Sequence, residues 1–450
     1  MKKNQKVFVC QACGKQETRW LGRCPSCGAW NSFTEELAPN SPETSSNQGE
    51  SMRPSSLLPL RDIDASQAQR ISTGIQELDR CLGGGLVLGS VVLLGGEPGI
   101  GKSTLTLQIL EHLQTKLPVV LVAGEESSAQ VKLRAQRLGI KRTDILVIEE
   151  TRVGRIEQLL RDIKPGFVVI DSIQALRSPE AGDIPGTINQ VKYSTFELSE
   201  WARLHGVPIL FIAHVTKGGL IAGPKLIEHL VDTVLQFEEA EAGLRLLRAL
   251  KNRFGSVDEL GLFRMEEGGL VEVSNPSHVF LEARLGPPPV GTAVAIVIEG
   301  SRALLIEVQA LTVVAKAGLG RVSSDKIDST RVQRVAAVIE KHLGLVFSDQ
   351  DIYVNVGGGL RITEPAVDLP LALALISART QRPLPPGLCA AGELSLAAEV
   401  RSVTAARRRL KAAQDLGMTK VVGRWEETDS VTLAVSHLKE VMGLLFSNDK

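Results

Sequence analysis

Short apolar runs that do not alternate with polar residues recur through the middle of the chain: VVLL at 91–94, VVLV at 119–122, ILVI at 145–148, FVVI at 167–170 and ILFI at 209–212. A strand with one wet face alternates polar and apolar side chains, so unbroken runs predict strands buried on both faces. Between several of them lie segments of helical length and period, among them STLTLQILEHLQ and TINQVKYSTFELSEWARLHG. Any one run could be part of a buried helix. Five in series predict an α/β fold, a mostly parallel sheet with helices on both faces.

The pattern changes on either side of this region. EELAPNSPETSSNQGESMRPSSLLP, which starts at Glu35, has almost no aromatic or β-branched residues and reads as a flexible linker. GPPPVG at 286–291 interrupts the later part, because consecutive prolines continue neither a helix nor a central strand. Beyond it, the chain opens with AVAIVIEG and ALLIEVQ, contains the helical TRVQRVAAVIEKHLG and continues with DIYVNV, EPAVDLPLALALISART and AARRRLKAAQDLG; strands and helices alternate less regularly, so an α+β arrangement is expected. The expected organisation is a cysteine module over 1–34, the linker over 35–66, the central α/β domain over 67–285 and a last domain over 286–450.

Composition changes this picture little. Lysine plus arginine balance aspartate plus glutamate at 51 each, so nucleic acid contact requires a local patch or an assembled channel. No apolar run approaches the ~18–20 residues that span a bilayer, and MKKNQKVFVC lacks a signal-peptide core, so no membrane partner and a cytoplasmic location are expected. In that compartment thiols stay reduced. Cys10, Cys13, Cys24 and Cys27, in two C-x-x-C pairs, are then better explained by metal than by disulfides. Four thiolates fill a tetrahedral Zn²⁺ shell and leave no position for a reactive water, which makes the site structural. An iron–sulfur site or unrelated buried thiols are the alternatives; Cys81 and Cys389 are isolated and read as core residues.

The chemistry centres on GGEPGIGKST. Gly96, Gly101, Lys102 and Ser103 match G-x-x-x-x-G-K-[ST] between a strand and a helix, the context in which backbone N–H groups wrap a phosphate. The expected ATP or ADP contacts are Gly96, Glu97, Pro98, Gly99, Ile100, Gly101, Lys102, Ser103 and Thr104. Lys102 neutralises the β- and γ-oxygens, and Ser103 with Asp171, which closes the strand FVVID, is expected to hold Mg²⁺. VAGEES offers Glu125 or Glu126 to polarise the attacking water, and Glu125 is favoured. In ALKNRFG, Lys251 and Arg253 are two apart and share a side of an extended segment. They are either exposed cations before a turn glycine or an arginine-finger pair for a phosphate on a neighbouring subunit.

The order of these motifs resembles the bacterial RadA (Sms) family of recombination and repair ATPases, related to RecA and to hexameric helicases. The residues that carry the resemblance are the paired C-x-x-C motifs, GGEPGIGKSTL, GEES, VVIDSIQ, HVTKGGLIAGPKLIEHLVDTVLQFE and KNRFG, and the last domain is similar to the proteolytic domain of Lon. The resemblance implies a RecA-like P-loop core, Lys251 and Arg253 acting in trans, and a homohexamer on single-stranded and branched DNA. It also implies ATP-driven movement that promotes branch migration, and a zinc module able to meet RecA or a replicative helicase. The stretch from His214 to Lys225 would face DNA, with Lys217 and Lys225 offered to phosphates. Lon-type peptidases use a Ser–Lys dyad, yet DLPLAL puts Leu371 at the serine position and arginines 407–409 near the lysine position. An alkyl group cannot attack a carbonyl and arginine cannot act as a neutral base, so a peptidase-inactive domain is expected. Its basic segment, with Arg401, Arg407, Arg408, Arg409 and Lys411, is either a DNA contact or a solvated face. The competing functions are an ATP-switched DNA-binding mediator without motor activity and, with least support, an ATP-dependent protease.

Overall fold

Each of the five apolar runs is a strand of one nine-stranded sheet in the computed structural model, which describes residues 6–10, 14–37, 69–182, 184–214, 227–240, 243–273, 277, 281, 288–315, 320–426 and 430–445. The chain divides into two compact units, Met1–Glu239 with Arg245–Glu272, and Ala240–Leu244 with Val273–Lys450.

The first unit begins with a small antiparallel sheet of β1 (Lys6–Cys10), β2 (Gln16–Glu17) and β3 (Phe33–Leu37). A two-strand ribbon, β4 (Arg70–Ile71) and β5 (Leu86–Val87), flanks helix α1 (Gln76–Cys81). The central parallel strands are β6 (Val91–Gly96), β7 (Val119–Ala123), β8 (Ile145–Ile148), β9 (Phe167–Asp171) and β10 (Ile209–His214). They are followed by β11 (Thr233–Glu239), β12 (Leu244–Asn252), β13 (Leu260–Glu266) and β14 (Gly269–Glu272). The strand order is β14-β13-β12-β11-β6-β10-β9-β7-β8. β11 runs parallel to β6, and β12 turns back antiparallel.

The absence of alternation has a direct packing cause. Val92 and Leu94 face one core with α1, α2 (Lys102–His112) and α3 (Ser128–Arg137), while Val91 and Leu93 face a second core with α4 (Val153–Ile163) and α5 (Ile188–His205). Phe167 and Val169 against Val168 and Ile170 repeat that division in β9. In these central strands both faces are dry, so the runs are apolar throughout, whereas β8 at the sheet edge leaves Leu146 and Val147 exposed.

The second unit is built on a mixed seven-stranded sheet of β15 (Thr292–Glu299), β16 (Arg302–Val314), β17 (Val322–Ser324), β18 (Gln350–Val356), β19 (Leu388–Ala391), β22 (Lys420–Gly423) and β23 (Thr432–Ala434). A separate ribbon pairs β20 (Glu393–Leu394) with β21 (Val400–Arg401). Its helices are α6 (Ser329–Leu343), α7 (Asp368–Thr380), α8 (Ala406–Asp415) and α9 (Leu438–Leu445). DLPLAL opens α7, where Leu371 is fully buried and the Asp368 carboxylate accepts from Arg331 at 3.2 Å. Within DLPLAL itself no side chain carries a hydroxyl or a thiol.

One expected contact residue is corrected here. Arg409 is not on a basic surface: it is fully buried, donating to the Ile296 carbonyl at 2.6 Å, to the Thr404 carbonyl at 2.9 Å and to both carboxylate oxygens of Glu364. The helical period puts Arg409 on the same inward side as Ala413, four residues on, while Arg407 and Arg408 remain exposed.

Candidate nucleotide-binding site

The loop after β6 reverses direction through Gly99 at φ 81° and Gly101 at φ 115°, left-handed conformations that favour glycine. A Cβ on Gly101 would also stand 2.8 Å from the Met265 methyl. α2 starts at the next residue, so its amino-terminal N–H groups point into the loop. Lys102 is 4% exposed and its Nζ donates to the carbonyls of Gly96 at 2.8 Å and Glu97 at 2.9 Å. Burial lowers the affinity of this ammonium for its proton, and the charges of Asp171 and Glu125 oppose that effect.

Around the loop lies a cleft of about 420 Å³ lined by Lys102, Ser103, Thr104, Glu125, Asp171 and His214, among others. β6, β10, β9 and β7 all deliver their carboxyl ends to it. The Asp171 carboxyl is hydrogen-bonded to Ser103 and is raised above the ordinary carboxylate range by burial, with the nearby charges of Glu125 and Glu126 adding to the shift. The donor set suits a hard divalent cation: a serine hydroxyl and an ionisable carboxylate side by side at the foot of the phosphate loop. The two glutamates differ in partner. Glu125 accepts from the Ser172 hydroxyl and lies 3.4 Å from His214 Nε2, whereas Glu126 is paired with Arg134.

The cleft continues past Thr104 as a groove between Arg137 and Leu138 on one side and Met265–Gly269 of the β13–β14 hairpin on the other. Gln108 of α2 holds this hairpin with two backbone bonds, donating to Leu270 O at 2.8 Å and accepting from Leu270 N at 3.0 Å.

Lys251 and Arg253 do not line the cleft. They lie towards the opposite end of β6: through β11, Lys251 is level with Leu93, about 10 Å along the strand from Gly96, and Arg253, bonded to Asp232, is level with Val91, roughly 15–20 Å along it. An irregularity between Val234 and Leu235 pairs Val234 with Lys251 and Leu235 with Ala249, leaving Leu250 without a counterpart. Lys251 Nζ donates to the carbonyls of Glu228 at 2.5 Å and Val231 at 2.7 Å, and Arg253 Nη1 donates to Asp232 at 3.1 Å. Burial lowers the Lys251 pKa, and neighbouring Arg253 adds to the shift.

In the cysteine module the two halves repeat one turn. Gly14 N–H donates to Cys10 O at 2.8 Å and Gly28 N–H donates to Cys24 O at 2.9 Å, with both glycines at positive φ. The sulfurs of Cys10, Cys24 and Cys27 lie within 4.8 Å of one another, and Cys10 Sγ to Cys27 Sγ is 3.7 Å. A tetrahedron with Zn–S of about 2.3 Å has edges of about 3.8 Å, so the Cys10–Cys27 separation matches one edge of a zinc site. Cys13, Lys217 and Lys225 lie outside the described residues.

Among the residues lining the cleft, the sequence did not single out Arg134, Arg137 or Met265, nor Ser172 beside it, and His214 was read only as the start of a DNA-facing stretch. His214 carried a usable signal, since an ionisable residue closing an apolar strand beside a phosphate loop follows the logic that identified Asp171. The others carried none, because their positions depend on how α3 and the hairpin fold over the loop.

Family models agree with this layout. A model described as AAA domain matches residues 54–219, Rubredoxin metal binding domain matches 8–35, and Subunit ChlI of Mg-chelatase matches 313–424. The chain is 52% identical to the DNA repair protein RadA of Treponema pallidum (strain Nichols), over 93% of this chain and 92% of that protein. It is 44% identical to the DNA repair protein RadA of Streptococcus pyogenes serotype M1, over 94% and 93% of the two chains. The DNA repair protein RadA of Bacillus subtilis (strain 168) is 42% identical, again over 94% and 93%. A KaiC-like protein of Pyrococcus horikoshii aligns at 22% identity and a TM-score of 0.38, over 46% of this chain and 99% of its own.

Proposed function

The chain belongs to the RadA family of DNA repair proteins, and from that premise we propose that it is a DNA-stimulated ATPase that moves on single-stranded DNA and drives branch migration of recombination intermediates. The observation that carries the reading is the convergence of Lys102, Ser103, Asp171 and Glu125 on one cleft at the carboxyl ends of parallel strands. Lys102 leaves its loop carbonyls to meet the β- and γ-phosphates, and the base and ribose lie along the groove between Arg137 and Met265. Ser103 and Asp171 would hold Mg²⁺, which would screen the charge developing on the phosphates. Glu125, steadied by Ser172, orients and deprotonates the attacking water.

Lys251 and Arg253 do not line their own cleft, which supports their action on the γ-phosphate of the next subunit in a hexameric ring. Exposed Arg407 and Arg408 are offered to DNA phosphates, and binding of this kind is insensitive to sequence and weakened by salt.

The test is ATP turnover by the full chain with and without single-stranded DNA, alongside extension of a three-strand branch. The wild type should show DNA stimulation and branch extension, and Lys102→Ala should show neither. Branch extension that persists in a Glu125→Gln variant unable to hydrolyse ATP would replace the motor with an ATP-switched mediator.

A further inference from the structure

Asp232 sits between the two ends of this machinery. It is 5% exposed and directly precedes β11. Its Oδ2 accepts the N–H of Val91 at 3.0 Å, and its Oδ1 accepts from Arg253 Nη1 at 3.1 Å. Its backbone carbonyl accepts the Arg253 N–H at 3.1 Å, and Arg203 Nη2 stands 3.9 Å from the same Oδ1.

Two facts give this arrangement direction. A buried carboxylate needs compensating charge, and a guanidinium that supplies it cannot at the same time reach a phosphate on another subunit. Val91 is the first residue of β6, and Gly96, its last, opens the phosphate loop. The carboxylate is thus fixed to the strand that carries the subunit's own nucleotide, while the Arg253 side chain is 54% exposed and able to swing outward.

We propose that Asp232 is a positioning residue that holds Arg253 withdrawn, tied through Val91 to the subunit's own phosphate loop, so that insertion into the neighbouring site requires this ion pair to open. The inference rests on Arg253 acting in trans. DNA binding then stimulates turnover in part by favouring the released arginine.

The test uses the full chain with ATP, Mg²⁺ and a poly-dT oligonucleotide. Asp232→Asn keeps an oxygen for the Val91 N–H and removes the charge that holds Arg253. Expected are a several-fold rise in DNA-free turnover, a smaller fold-stimulation by DNA, and a double variant with Arg253→Ala as inactive as Arg253→Ala alone. Arg203→Ala removes an exposed side chain that also donates to Glu200 at 2.8 Å and to the Leu230 carbonyl at 3.2 Å, and it leaves Arg253 as the one guanidinium at Asp232 Oδ1; it should lower DNA-free turnover about twofold. Unchanged or reduced DNA-free turnover in a stably folded Asp232→Asn protein, with Arg253→Ala inactive, overturns this inference alone. If Asp232→Asn does not fold, a wild-type or faster DNA-free rate in Arg203→Ala overturns it. Wild-type turnover in Arg253→Ala overturns the in-trans reading and this inference together.

Discussion

The Arg409 guanidinium is fully buried and bonded to both oxygens of the Glu364 carboxylate, so the most interior residue of the basic segment in the second unit is one half of an ion pair. Removing one partner leaves an uncompensated buried charge, and Arg409→Ala should destabilise that unit by about 3–5 kcal/mol. Arg407→Ala and Arg408→Ala should stay within about 0.5 kcal/mol, as surface changes do. Urea unfolding of the full chain separates these outcomes. If Arg407 and Arg408 meet DNA, their removal also makes the slope of affinity against salt shallower.

Glu125 and Glu126 are neighbours with different partners, which makes them separable by experiment. Glu125→Gln should cut turnover about 10²–10⁴-fold with nucleotide affinity retained, the signature of a lost general base. Glu126→Gln frees Arg134 and should alter affinity more than rate. Single-turnover hydrolysis with a fluorescent ATP analogue distinguishes the two, and a reversed pattern assigns the base to Glu126.

Asp171 makes the cleft sensitive to pH. Its folded pKa is raised by burial, so the ionised form is disfavoured in the folded chain. Its contribution to stability is full below the unfolded pKa and lost as pH rises through the folded value. At pH 7.5, Asp171→Asn should therefore raise the melting temperature of the nucleotide-free protein, at ~2–4 °C per kcal/mol for a domain of this size. The advantage should shrink as pH falls through the folded pKa, where the wild type is protonated as well. ATP turnover should be lost at every pH. A melting temperature lowered at pH 7.5 contradicts the assignment.

Zinc analysis of the purified chain should give one equivalent, with Cys24→Ser and Cys27→Ser each lowering it. If zinc joins the two turns that carry Cys10, Cys24 and Cys27, a chelator should unfold the small sheet while leaving ATP binding intact. Equal loss of both on chelation would show that the metal supports the P-loop fold as well.

Much of the central domain was legible in the sequence because one physical rule governs it: strands dry on both faces show unbroken apolar runs, as VVLL and FVVI do. The phosphate loop and Asp171 were legible because their spacing and strand context are set by local backbone geometry. Arg409 was misread for a related reason, since a run of three arginines suggests a surface until helical periodicity is applied to each one. Asp232, Arg137 and Met265 depend on contacts between segments distant in sequence, which neither local pattern nor composition encodes. The offset pairing that leaves Leu250 without a counterpart likewise arises from how β12 registers against β11.

The bidentate grip of Gln108 on Leu270 welds the hairpin to the helix that carries Lys102, making one jaw of the cleft stiff. The opposing jaw, α3, buries only Val131 among its described side chains, so little apolar area resists its displacement. Nucleotide exchange should therefore proceed as a vice opens, with one jaw fixed and one sliding, and amide hydrogen exchange should be fast in α3 and slow in α2.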